Sequence, residues 1–144
     1  QFTYFQQMMG IECSPVPVEI TYGLERLCMF VQGKNNVFDI DWNSEGVKYK
    51  DIFLQAEKEF SAYNFEFSNT DTLLKNFEST ENECKTLLEK KLSLPAYDLC
   101  LKASHIFNLL DARGVVGVAE RTGYINRIRE LAKGCGSLWL SVQA

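Results

Sequence analysis

Apolar residues recur along this chain with two different periods, and the change from one to the other organises it. Residues 2–7 are aromatic-rich and suit a strand. Met8-Met9-Gly10 begins a connection, and Pro15 and Pro17 keep the next stretch extended. Val18-Glu19-Ile20-Thr21-Tyr22 then alternates apolar and polar, the period of a strand with two unlike faces. Val18, Ile20 and Tyr22 point one way, Glu19 and Thr21 the other. Gly23 marks the switch to a mostly buried helix over 24–32, which Gly33 ends.

Beyond 37–42, a short strand or extended loop, and the turn-like 43–46, the period becomes helical. Phe53, Ala56, Phe60 and Tyr63 predict a helix over about 49–64. Asn69-Thr70-Asp71 offers an N-cap for the next. In that helix Leu73, Phe77, Thr80, Cys84 and Leu87 share a face, and Glu78, Glu81 and Lys85 make a polar side. Leu94-Pro95 starts a helix over about 95–113 that is apolar on most sides and belongs at the centre of a bundle. Gly114 and Gly117 bracket a tight turn. In the last helix, about 119–142, Ile125, Ile128, Ala132, Cys135, Trp139 and Val142 mark one face. Gly134 and Gly136 each cost about 1 kcal/mol relative to Ala, which close approach of a neighbouring helix would explain. The fold class that follows is mainly α: an N-terminal antiparallel strand pair, then a helical bundle.

Composition narrows this. At 144 residues and 46% apolar, the chain suffices for one domain with its own core. A net charge of −4 excludes a broadly basic nucleic-acid binder. The balance is uneven: residues 111–144 are net +2 and the preceding 110 net −6, which would suit an acidic partner at the C-terminal end. A solvated helix face is the commoner explanation. No window has the roughly 18–20 unbroken apolar residues of a membrane span, and the first residues lack the pattern of a signal peptide. They also lack an initiator Met and read as mid-strand, as in a piece of something longer. Cys13, Cys28, Cys84, Cys100 and Cys135 are odd in number and form no CxxC pair, which fits a reducing compartment. The last three fall on apolar periods as buried thiols.

Chemistry concentrates in Glu19-Ile20-Thr21-Tyr22-Gly23-Leu24-Glu25-Arg26. A strand face presents a carboxylate and a hydroxyl, a Gly turn follows, and an Arg in the first helical turn offers a fork for phosphate oxygens. Surface ion pairs of Glu25 and Arg26 are the competing explanation. His105, the only histidine, reads as a hydrogen-bonded core residue rather than part of a hydrolase triad. Asn108, Asp111 and Arg113 read as a helix-end cluster that tethers the next turn. Trp42 and Trp139 read as core or interface, and the glycines at 114, 117 and 123 form no phosphate loop.

Taken together, Gln1-Phe2-Thr3-Tyr4-Phe5-Gln6-Gln7, Glu19-Ile20-Thr21-Tyr22-Gly23-Leu24-Glu25-Arg26, Leu94-Pro95-Ala96-Tyr97 and Phe107-Asn108-Leu109-Leu110-Asp111-Ala112-Arg113 closely resemble the alpha subunit of bacterial-type heterotetrameric glycyl-tRNA synthetase. The likeness spans essentially the whole chain and corresponds to the C-terminal half of that subunit. The resemblance implies a class II aminoacyl-tRNA synthetase, a glycine–tRNA ligase, whose antiparallel α+β catalytic sheet would have its edge here. Residues 1–48 would be the C-terminal end of the catalytic domain, with the third signature motif in Gly23-Leu24-Glu25-Arg26, and 49–144 a helical C-terminal domain.

By that resemblance Arg26, with Glu25 beside it, would contact ATP. Glu19 and Thr21 would hold the glycine amino group, and Thr3 and Gln1 would border the pocket. No side chain here is implied as a covalent catalyst or a metal ligand. ATP is implied as substrate and magnesium as its companion. The implied partners are the beta subunit, a second alpha subunit in an alpha2beta2 assembly, tRNA(Gly) and glycine, with a cytoplasmic setting and no membrane. The first two signature motifs and most of the sheet are missing from these residues, so the expectation is that the fragment alone does not activate glycine. A non-catalytic helical module that docks a subunit or tRNA is the alternative from another functional class.

Overall fold

The computed structural model of the chain describes residues 1–143. It divides into two compact units, Gln1–Tyr63 and a second that begins at Asn64. As the hydropathy pattern predicts, a small antiparallel strand pair precedes a helical bundle.

In the first unit β1 (Phe2–Tyr4) pairs antiparallel with β4 (Val18–Ile20), and the chain between them folds back as a second ladder of β2 (Gln7–Met8) and β3 (Ile11–Glu12). Met9 (φ 51°) and Gly10 (φ 80°) make that hairpin turn, both in the left-handed region that a tight two-residue reversal demands. Helix α1 (Leu24–Gln32) follows and stops at Gly33 (φ 62°), whose N–H returns to the last carbonyls. The segment 37–42, read as strand or loop, instead begins with a 3-10 turn over Val37–Asp39, capped by Asn36 Oδ1 accepting from Phe38 N at 2.9 Å. A reversal then brings Asp41 opposite Lys48, and Asn43 Oδ1 accepts from Glu45 N and Val47 N to hold it. Helix α2 (Tyr49–Ala62) passes into a π-helical turn over Tyr63–Phe67.

One expectation fails in this unit. Helix α1 reads as mostly buried, yet no residue of it is: Phe30 is 86% and Val31 81% exposed. The described residues supply no layer against that side of the helix. Ile40 is the single buried side chain described in the unit.

The second unit is the bundle: α3 (Thr70–Glu89), α4 (Ser93–Ala112) and α5 (Val118–Gln143). Asn69 caps α3 as expected, with Oδ1 accepting from Thr72 N at 2.8 Å, worth about 1 kcal/mol. Leu73, Phe77 and Cys84 of α3 meet Ala96, Cys100, Ala103, Phe107 and Leu110 of α4 and Leu131 and Cys135 of α5. Helix α4 is the element that the other two pack upon. A Cβ on Gly134 would lie 2.9 Å from Leu88 Cδ1, so α5 comes close to α3 where glycine allows it. The face of α5 turns out shorter than its period suggests. Leu131 is buried and Ile125, Ile128 and Ala132 are partly so, but Trp139 and Val142 are exposed because α3 and α4 give them no partner.

Glu81 is a second correction. It reads with Glu78 and Lys85 as polar surface, but it is buried: it lies four residues from Phe77 and three from Cys84, beside the apolar stripe, and Arg127 of α5 reaches it. His105 is a third, exposed on α4 at a groove it shares with Asn76, Ser79, Thr80 and Lys102. Asp111 and Arg113 do tether chain at the helix end. Arg121 Nε donates to both Asp111 oxygens at 3.2 and 3.1 Å, and Arg113 Nη1 donates to Ser68 O at 3.1 Å.

Candidate functional site

The strand register builds the first part of the site. Thr3 stands opposite Glu19, while Phe2 faces Ile20 and Tyr4 faces Val18. Alternation then gathers Gln1, Thr3, Glu19 and Thr21 on one side of the ribbon and the apolar residues on the other. The polar row is hydrogen-bonded along its length. Gln1 Nε2 donates to Thr3 Oγ1 at 3.3 Å, and the Thr21 hydroxyl donates to Glu19 Oε1. Backbone bonds between Gln1 and Thr21 extend the ladder beyond the named strands, at 2.9 and 2.8 Å. The four residues that the resemblance placed at one pocket, Glu19 and Thr21 to hold an amino group and Thr3 and Gln1 at its border, are therefore brought together. Glu19 is solvent-accessible, with Oε1 engaged by Thr21 and no partner for Oε2 among the described residues. A carboxylate so oriented accepts hydrogen bonds from an ammonium group.

Gly23 then turns the chain into α1, and its carbonyl accepts the first helical bond from Leu27 N at 2.9 Å. Glu25 in this first turn sits favourably against the positive end of the helix dipole. Glu25 and Arg26, adjacent in sequence, point to different surroundings. Glu25 lines a cleft of about 490 Å³ with Cys28, Ile40, Trp42, Tyr49 and Phe53. Burial and the Glu25 carboxylate hold the Tyr49 phenol above its ordinary value. Trp42, Tyr49 and Phe53 form an aromatic cluster with centroids 4.5–6.3 Å apart, Trp42 meeting the other two edge-on. Arg26 is exposed and makes no hydrogen bond or ion pair among the described residues. Its fork is available to an anion.

Sequence reasoning did not single out Gln32 or Asp41. Gln32 Oε1 accepts from Asp41 N at 2.8 Å and its Nε2 donates to Asp41 O at 3.0 Å. Asp41 also pairs with Lys34 and Lys48, each at 2.9 Å. Hydrogen bonds from Lys34 and then Lys48 hold its carboxyl below the usual carboxylate value. A glutamine closing an apolar helix carries no period and no motif, so nothing in the sequence marked it.

The magnesium that the resemblance implies finds no ligand set here: among the described residues no group of three or more His, Cys, Asp or Glu side chains is arranged to hold a cation. No described helix is long and apolar enough to cross a membrane. A family model described as glycyl-tRNA synthetase alpha subunit matches residues 1–144, the full length of the chain.

Proposed function

The chain belongs to the glycyl-tRNA synthetase alpha subunit family, and from that membership we propose that its strand pair and α1 form part of the site for ATP-dependent glycine activation. That family is one of aminoacyl-tRNA synthetases, and a glycine–tRNA ligase role goes with it. The observation that carries the finer reading is the juxtaposed row Gln1–Thr3–Glu19–Thr21, followed after one glycine by the unpaired Arg26.

In this reading a glycine carboxylate oxygen attacks the α-phosphorus of ATP, the bond to pyrophosphate breaks, and glycyl-adenylate forms. A ribose hydroxyl at the tRNA end then attacks the glycyl carbonyl carbon, loses its proton, and AMP leaves. Glu19 holds the glycine ammonium, and the Thr21 hydroxyl fixes the carboxylate that does so. Thr3 and Gln1 border the pocket. Arg26 offsets phosphate charge; Glu25, the second residue that the resemblance sets by ATP, lines the cleft beside Tyr49. Positioning and charge stabilisation carry such a reaction, since no side chain here need form a covalent intermediate. Shape excludes larger amino acids: an extra methyl is rejected by a tight pocket more readily than its absence is recognised, which is worth about 1–3 kcal/mol.

Residues 1–48 are, on this reading, the end of a class II catalytic domain, and 49–144 a helical C-terminal domain that serves docking to the beta subunit, a second alpha subunit or tRNA(Gly). The setting is the cytoplasm. The test is Arg26→Ala in the assembled synthetase, read by glycine-dependent ATP–pyrophosphate exchange. The apparent kcat/KM for ATP falls about a hundredfold, chiefly through KM, the order of a lost charge-assisted contact to phosphate, with the helical fold intact. Unchanged kinetics removes Arg26 from the site. The 144 residues alone give no exchange, and clear turnover by them overturns that part of the reading.

A further inference from the structure

Helix α1 is held from one side only. Leu24, Cys28 and Gln32 are spaced by four and share a stripe. Leu24 and Cys28 line the cleft over buried Ile40, and Gln32 ends the stripe with its two hydrogen bonds to the Asp41 backbone. Arg26 lies two residues from both Leu24 and Cys28, about 200° round the helix and so on the opposite side. Phe30, one turn beyond Arg26, is 86% exposed, which confirms that this side is open.

The two ends of α1 are unequally fixed. Gly23 provides no side-chain cap at the N-terminal end. At the other end Gln32 meets Asp41 as a strand neighbour would, and Lys34 grips the same residue through its carboxylate.

We propose that Gln32 is a positioning residue for ATP use: its paired hydrogen bonds to Asp41 set the rotation of α1 and so the direction in which Arg26 is presented. This rests on the reading of Arg26 as a nucleotide-binding residue. Gln32 touches no reactant; it acts through the helix.

The test is Gln32→Met in the assembled synthetase, which keeps length and packing but removes both hydrogen bonds. The KM for ATP rises about five- to tenfold, while kcat and the KM for glycine stay within about twofold. Gln32→Glu keeps the acceptor for Asp41 N–H but turns a carboxylate oxygen toward the Asp41 carbonyl, so the KM for ATP stays raised. Adding Gln32→Met to Arg26→Ala produces no further rise, because the residue through which Gln32 acts is gone. If Gln32→Met leaves ATP kinetics unchanged, raises both KM values alike, or multiplies the Arg26→Ala effect, the positioning role is wrong. If Arg26→Ala itself leaves ATP kinetics unchanged, the reading of Arg26 fails first, and the role of Gln32 with it.

Discussion

Arg127 on α5 clasps the carboxylate of Glu81 on α3 through both Nε and Nη2. Nε lies 3.1 and 3.2 Å from the two oxygens, and Nη2 donates to Oε2. Lys85, one turn along α3, takes Oε1 at 2.9 Å. The guanidinium also stands over the rings of Phe77 and Tyr124, at 4.6 and 5.0 Å from their centroids. This joins α3 to α5 by charge where the core joins them by burial.

The pair is asymmetric, and mutation should expose that. The Glu81 side chain is 6% exposed and that of Arg127 38%. Arg127→Met leaves a buried carboxylate with only Lys85 and is expected to cost about 2–3 kcal/mol. Glu81→Gln leaves a cation that reaches water and costs about 1 kcal/mol. Urea unfolding of the two variants checks the order; equal losses would contradict it.

Acid should act on the same pair. The hydrogen bond from Arg127, then that from Lys85, holds the Glu81 carboxyl below its ordinary 4.5 despite burial. A depressed carboxylate stabilises the fold fully above its unfolded value and loses that contribution as pH falls through the folded one. Wild type is therefore expected to lose stability more steeply than Glu81→Gln below about pH 4.5, with parallel curves above it. Asp41 is depressed in the same direction and is common to both proteins, so their difference isolates Glu81. Unfolding free energies measured from pH 7 to 3 decide, and curves parallel throughout would refute the assignment.

Thiol reactivity should divide the five cysteines. Burial pushes the Cys84 thiol up to about 12, and its Sγ–H donates to Ala96 O at 3.1 Å. Burial raises Cys100 and Cys135 also. At pH 8 a thiol of pKa 12 is ionised on the order of one part in ten thousand. A disulfide reagent is expected to label exposed Cys28 first and half-exposed Cys13 next, with the other three reacting on unfolding. Mass mapping of labelled peptides checks the order, and early labelling of Cys84 would contradict the packing.

The bundle was legible because its signals are local. The stripe of Leu73, Phe77 and Cys84, the Asn69 cap and the apolar run of α4 all state their role within a few turns of chain. Glu81 was not, since its partner lies on another helix and the pattern of α3 alone places it among polar residues. Trp139 and Val142 continue a period beyond the length of the neighbours that would cover them. In the candidate site, the alternation that sets Glu19 and Thr21 on one face was readable from the strand period, but the register that brings Thr3 opposite Glu19 was not. The anchoring of α1 was not: Gln32 reaches across nine residues to the backbone of Asp41, and a side chain that binds backbone leaves no trace in its partner's identity.

The order of α3, α4 and α5 also bears on how the chain acquires its shape. Residues 90–92 and 113–117 are the whole of the links between these helices. The joins from Glu81 to Arg127 and from Leu88 to Gly134 advance in the same direction along α3 and α5, so the middle helix runs back between two that run forward. Nearly every contact of that bundle is made between neighbours in sequence, the arrangement that folds fastest for its size. The helical half can thus gain its native packing early and from local encounters. The strand pair closes locally too, since its partners flank a single hairpin. In this family member each unit can therefore form from encounters within its own stretch of chain.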